Sequence, residues 1–150
     1  MDLGLKVKKI NDLTAKRGNR ELKQLGLTFS QFHALVYLEH CQDGQAPLKQ
    51  LEIHFQVAQA TMAGIVGRLE CKGYVKSRLA ENDKRVKIVT LTQEGRRICK
   101  SAKQWGSQLQ KQLALLYSDK ELRQFEEYLD RLYEFLAQDE ERTAGEKDDQ

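Results

Sequence analysis

Proline is nearly missing from this sequence. Pro47 is the only one in 150 residues, so helices can run long without forced breaks. Long apolar runs are missing too. No stretch approaches the roughly 20 residues needed to span a bilayer, which argues against a membrane helix. The opening residues Met1-Asp2-Leu3-Gly4-Leu5-Lys6 lack the basic region, apolar core and cleavage site of a signal peptide, so a cytoplasmic protein is expected. Histidine is scarce: His33, His40 and His54 make no H-E-x-x-H pattern, and no cysteine or carboxylate stands near them at ligand spacing. The three cysteines, Cys41, Cys71 and Cys99, are odd in number and widely spaced, which fits neither a disulfide framework nor a C-x-x-C zinc pair. They read as reduced thiols, with a redox-sensing thiol as the alternative, which would require a depressed pKa. G-x-S-x-G, P-loop and G-x-G-x-x-G motifs are absent. No catalytic residue, metal site or cofactor is therefore assigned, and an enzyme is not expected.

What is present is charge, unevenly spread. The chain carries a net charge of +3. From Asp139 to Gln150 there are six acids and two bases, so the excess of positive charge lies earlier. Arg68 to Lys100 alone holds ten bases against four acids. Such a block suits a polyanion partner or a merely solvated basic face, and charge alone does not separate the two.

Periodicity supplies the elements. Leu3, Val7, Ile10 and Leu13 recur at helical spacing and predict a first helix, with Gly18 as a weak point or end. Thr28-Phe29-Ser30-Gln31 has the form of a capping box, flanked by Leu27 and Phe32 as a hydrophobic staple. A helix with Phe32, Leu35, Val36 and Leu38 on its apolar stripe should follow to about Cys41. Gln42-Asp43-Gly44-Gln45 reads as a turn, and Pro47 suits a helix start. Leu48, Leu51 and Phe55 mark a short helix, Gln56 a break, and Ala58 to Lys72 a second helix with Met62, Ile65, Val66 and Leu69 inward. Gly73 should end it in a left-handed conformation.

Tyr74–Leu79 and Val86–Leu91 alternate and are rich in β-branched residues, with a polar, basic tip between them: a hairpin. Thr92-Gln93-Glu94-Gly95 opens a long helix with Ala102, Trp105, Leu109, Leu113 and Leu116 on one stripe. Ser118-Asp119-Lys120-Glu121, a second capping box, opens the last. Its Leu122, Phe125, Leu129, Leu132 and Leu136, spaced 3, 4, 3, 4, form a seam that packs against another helix, from a second subunit or from the same chain. The acidic segment 139–150 is expected to be disordered.

Helix, turn, helix and basic hairpin, in that order, make a winged helix-turn-helix over about 47–95. A helix fits the major groove of DNA and offers its N-terminal residues to base edges. Here those are Gln59, Ala60, Thr61, Ala63 and Gly64. Gln59 can pair with an adenine edge, Thr61 can bond a phosphate, and Arg68 can reach phosphate or base. The hairpin, with Arg78, Lys84 and Arg85, would follow the backbone or the minor groove. A winged helix used for protein contact is the alternative, against which the basic hairpin argues.

From Leu51 to Gly95 the sequence resembles the MarR family of bacterial regulators. Leu51 to Val75 is similar, without gaps, to that family's helix-turn-helix. Asp83-Lys84-Arg85 resembles its D-x-R wing motif, and Leu91-Thr92-Gln93-Glu94-Gly95 its L-T-x-x-G; the likeness spans roughly residues 3–137. It implies a mainly α fold with a small β-hairpin wing, in one domain over 1–138. It further implies a homodimer built on helices at about 2–24 and 94–138, and a pseudo-palindromic double-stranded operator. Arg85 would enter the minor groove, with Asp83 orienting it or the wing backbone by a charge-assisted bond; a simple turn aspartate is the alternative. Repression modulated by a small aromatic molecule is also implied, and His33, Tyr37 and Trp105 are candidates to line such a cavity. The sequence departs from the family at four places. Ala58 and Gln59 stand where a serine cap is common, Gly64 where a polar or basic reader is frequent, Gly67 adds a second helical glycine, and Ser77 replaces a frequent arginine. The reactive N-terminal cysteine of the family's peroxide sensors is absent.

Overall fold

The computed structural model describes residues 2–148, with side chains through Asp139. The chain divides into two compact units, Met1–Gly106 and Ser107–Gln150.

The first unit opens with helix α1 (Leu3–Leu22), whose first turn is capped by the Asp2 carboxylate accepting the Leu5 amide at 3.4 Å. Gly18 does not end this helix. It is buried, and a Cβ there would lie 2.3 Å from the Phe29 ring, so the glycine is a packing requirement. Helix α2 (Phe29–His40) starts where the capping box places it: Thr28 Oγ1 accepts the Gln31 amide and Gln31 Oε1 accepts the Thr28 amide, both at 3.2 Å. Leu27 and Phe32, the staple pair, are both buried.

A strand then appears that alternation did not reveal. Gln42–Gly44 forms a single 3₁₀ turn leading into β1 (Gln45–Pro47). Three residues are too few to display a period of two. Pro47 thus closes a strand and stands one position ahead of α3 (Leu48–Phe55). Gln56 makes the break with a left-handed backbone, φ 50°. Helix α4 (Gln59–Cys71) buries Met62, Ile65, Val66 and Leu69, as the spacing predicts. It ends in a Schellman turn: Tyr74 N–H donates to Leu69 O and Gly73 N–H to Glu70 O, with Gly73 at φ +75°.

Strands β2 (Val75–Leu79) and β3 (Lys87–Leu91) form the hairpin, and β1 pairs with β3 on its other side, giving the order β1-β3-β2, all antiparallel. The expected two-stranded wing is therefore a three-stranded sheet. Helix α5 (Gln93–Leu116) follows. Its L-T-x-x-G opening has a direct physical account. Thr92 Oγ1 donates to Gly73 O at 2.7 Å and accepts the Gly95 amide at 3.0 Å, while a Cβ on Gly95 would lie 2.0 Å from Tyr74 O. The motif clamps the helix start onto the base of the hairpin.

The core of this unit is one cluster that includes Leu22, Leu35, Leu38, Leu51, Val66, Leu69 and Val89. Each fully buried leucine contributes about 1.5–3 kcal/mol. Lys72, just past α4, donates through Nζ to Gly26 O and, at 3.2 Å, to Gln31 Oε1. It thereby fastens the end of α4 to the α1–α2 connection.

In the second unit, α6 (Asp119–Asp148) begins with the expected second capping box, Ser118 N–H donating to Glu121 Oε2 at 2.8 Å. Phe125, Leu129 and Leu136 of its seam are exposed in the single chain, and Leu122 and Leu132 are half-buried. The backbone stays helical to Asp148, where disorder was expected from 139 onward. Low apolar content does not oppose a helix when Glu, Arg, Lys and Ala supply propensity and proline is missing. Asp149 and Gln150 lie outside the described residues.

Candidate nucleic-acid interface

Helix α4 has no side-chain cap. Ala58 contributes only its carbonyl, which accepts the Met62 amide at 3.1 Å. The first turn therefore presents free amides and exposed Gln59, Ala60 and Thr61 to solvent, while Ala63 and Gly64 are half-buried. Such a helix end favours anions. Arg68 lies over Gly64: a Cβ there would be 3.5 Å from the guanidinium. A Cβ at Gly64 would thus meet Arg68 in ordinary van der Waals contact.

Two grooves flank α4. One, of about 570 Å³, is lined by Thr61, Ile65 and Arg68 together with Asn19, Lys23, Thr28 and Ser30. Two cations and three hydroxyls around one hollow can hold a phosphate. Lys23, Asn19 and Ser30 are not legible as site residues in the sequence, because they come from the last turn of α1, the α1–α2 connection and the first turn of α2, far from the helix-turn-helix in sequence. The other groove, of about 420 Å³, is lined by Pro47, Lys49, Glu52, Gln59, Arg85 and Lys87. It brings Gln59 of α4 and Arg85 of the wing to one surface.

Within the wing, Asp83 holds Arg85 three times over. Its Oδ1 accepts the Arg85 amide and Nε, each at 3.1 Å, and its Oδ2 accepts Nη2 at 3.3 Å. These bonds hold the Asp83 carboxyl below its usual pKa, the side-chain bond first and the backbone bond second. Arg85 remains 90% exposed, so its outer face is available to a partner. Lys84 is exposed beside it. Arg78 is placed elsewhere. It reaches Gln45 Oε1 at 3.5 Å and lines a hollow with Gln42, Asp43 and Ile88, not either groove beside α4.

The three candidate cavity residues fall into two ring clusters. His33 and Trp105 meet Phe29 and Phe32: His33 lies 4.3 Å and Trp105 5.8 Å from the Phe29 ring centre. Burial lowers the His33 pKa, and the Trp105 indole N–H is buried without a hydrogen-bond partner. Tyr37 packs instead on His54 at 4.2 Å and on Phe55. Of the thiols, Cys71 is exposed, Cys41 half-buried and Cys99 buried. Burial, reinforced by the Glu39 carboxylate, pushes the Cys99 thiol up to about 11, the opposite of what a reactive thiolate needs. Among the described residues no helix is long and apolar enough to cross a membrane.

A model of the MarR family matches residues 27–87. Among solved structures the chain is similar to wild-type MarR from E. coli in its apo form. The two share 27% identity over 88% of this chain and 97% of that one, with a TM-score of 0.74. A cysteine-to-serine mutant of E. coli MarR complexed with operator DNA matches at 27% identity over 87% and 92%, TM-score 0.78. The S. aureus MepR–DNA complex matches at 21% identity over 89% and 98%, TM-score 0.81, a likeness of fold. No curated protein sequence matches the chain.

Proposed function

Because residues 27–87 match a model of the MarR family, we propose that this chain is a sequence-specific, double-stranded-DNA-binding transcriptional regulator of that family that acts as a homodimer. The observation that carries this reading is the groove shared by Gln59 and Arg85, which lets one surface address two neighbouring parts of a duplex. In this reading the uncapped start of α4 enters the major groove, where Gln59 meets a base edge. Thr61 and Arg68, with Lys23 across the hollow, hold a phosphate. Arg85, held by Asp83, enters the minor groove. A dimer sets two such heads on a pseudo-palindromic operator. The exposed apolar residues Leu3, Val7, Ile10 and Leu13 of α1, and the seam of α6, supply surface for the second subunit.

The regulator acts in the cytoplasm as a repressor and catalyses no reaction. A small aromatic molecule modulates it by binding two states of the dimer with different affinity. The unpartnered indole of Trp105 beside His33 favours that side of the α2–α5 packing over Tyr37 as the place of contact.

Selection of bound duplexes from a random pool, followed by titration at several salt concentrations, tests the reading. Recovery of a palindromic motif whose affinity falls steeply with salt is expected. Absence of binding to any duplex at low salt would instead favour a protein-contact module.

A further inference from the structure

Glu70 is an anomaly of charge. It sits in the last turn of α4 among Arg68, Lys72, Lys76 and Arg78, where a carboxylate repels the phosphates that the neighbouring bases attract. Its geometry shows what the carboxylate does there. Glu70 Oε1 accepts the backbone amide of Ser77, in β2, at 2.9 Å. The strand order β1-β3-β2 leaves β2 at the sheet's edge, with outward amides that no strand satisfies. The Ser77 hydroxyl is buried without a partner, so the amide is the group through which Ser77 meets α4.

The position of this bond matters. The hairpin is pinned at its base, where Thr92 N–H donates to Tyr74 O at 3.0 Å and Thr92 Oγ1 to Gly73 O. On its β3 side it is also held by β1, which pairs with β3 from Thr90 to Ile88, whereas β2 has no strand on its outer edge. Ser77 is three residues beyond Tyr74, about 10 Å along an extended strand. The Glu70 bond ties this open edge of the hairpin to α4 at that distance from the base. Beyond it the tip is internally tied: Ala80 N–H donates to Val86 O at 2.8 Å, Val86 N–H to Asp83 O at 3.0 Å, and Asp83 holds Arg85. An unbroken set of bonds thus runs from α4 to the Arg85 guanidinium.

We propose that Glu70 is a positioning residue for DNA binding, which by accepting the Ser77 amide sets where the wing, and with it Arg85, stands relative to α4. The proposal rests on the DNA reading given above.

Glu70→Ala and Glu70→Gln remove the same charge, but only glutamine keeps an acceptor oxygen at the same reach. Comparing the two variants therefore isolates the hydrogen bond from the electrostatics. Binding would be titrated on a duplex recovered by random-pool selection with the unaltered chain. Glu70→Ala is expected to bind about three- to tenfold more weakly than Glu70→Gln, the span of one net hydrogen bond. In an Arg85→Ala background that gap should close, because the bond acts through the wing. Amide exchange at Ser77 should be faster in Glu70→Ala than in Glu70→Gln, a readout independent of DNA. Equal binding by the two variants, a gap that persists without Arg85, or equal Ser77 exchange would overturn the proposal. Failure of the unaltered chain to bind any duplex would remove the DNA reading and this proposal with it. Binding by the unaltered chain with the two variants alike would overturn the proposal alone.

Discussion

The recognition helix and the wing are built on opposite plans. Helix α4 is rigid behind and sparse in front: four buried apolar residues anchor it, yet its exposed start offers Gln59, Ala60 and Thr61 with no side-chain cap. The wing is buried at its base through Val75, Val89 and Leu91, but at its exposed tip Arg85 is held by three bonds from one carboxylate. One element obtains precision from packing, the other from polar bonds. Loss of a core side chain should therefore disable the helix through folding, whereas loss of a wing contact should disable binding with the fold intact.

The largest effect should come from behind α4. Leu69→Ala, at a fully buried position, is expected to destabilise the chain by about 2–5 kcal/mol, read from denaturant midpoints. A change below about 1 kcal/mol would mean that packing does not hold the helix. Next, Arg85→Ala should weaken operator binding by about 1–3 kcal/mol with an unchanged melting temperature. A melting shift matching the loss of affinity would erase the contrast between the two plans. Ala58→Ser should sharpen it from the other side: a hydroxyl cap is expected to stabilise by about 1 kcal/mol, measured by thermal unfolding. Thr61→Ala should cost about 0.5–1.5 kcal/mol of binding, equally on all duplexes, as a phosphate contact would. A changed base preference in a repeated selection would reassign Thr61 to base reading.

The smallest effect concerns pH. The folded Asp83 carboxyl has a lowered pKa, so its bonds to Arg85 are complete above the unfolded carboxylate pKa and are lost as pH falls through the lower, folded value. The Arg85 Nε proton resonance should therefore stay protected at pH 5 and lose protection only below the ordinary carboxylate range of about 4. Loss of protection nearer pH 6 would show that the ion pair does not hold the wing.

Much of this plan was legible in the residues. Both capping boxes, the inward face of α4 and the turn at Gln56 follow from local spacing, and local rules suffice where partners lie within a few positions; the Asp83–Arg85 pair is legible through the resemblance of Asp83-Lys84-Arg85 to a D-x-R wing motif. What escaped depends on distant partners. Gly18 reads as a helix weak point until Phe29 is seen against it. β1 is too short to show a period and exists through its pairing with β3. The Lys23 side of the first groove joins segments that no single window contains together, and the Glu70–Ser77 bond crosses a helix-to-strand turn that periodicity does not read. Arg78 lines neither groove beside α4, and its partner Gln45 lies 33 positions away in sequence.

The Lys72 bonds to Gly26 and Gln31 have a mechanical consequence. They fix one end of a 13-residue helix, which at 1.5 Å per residue is a lever of about 20 Å. Its other end carries Gln59, with Met62, Ile65, Val66 and Leu69 packed into the core between the two. A tilt of only about 6° about the fixed end swings Gln59 through about 2 Å, enough to break a hydrogen bond to a base. The alignment of Gln59 with a base therefore depends on the α1–α2 connection as well as on the core behind α4.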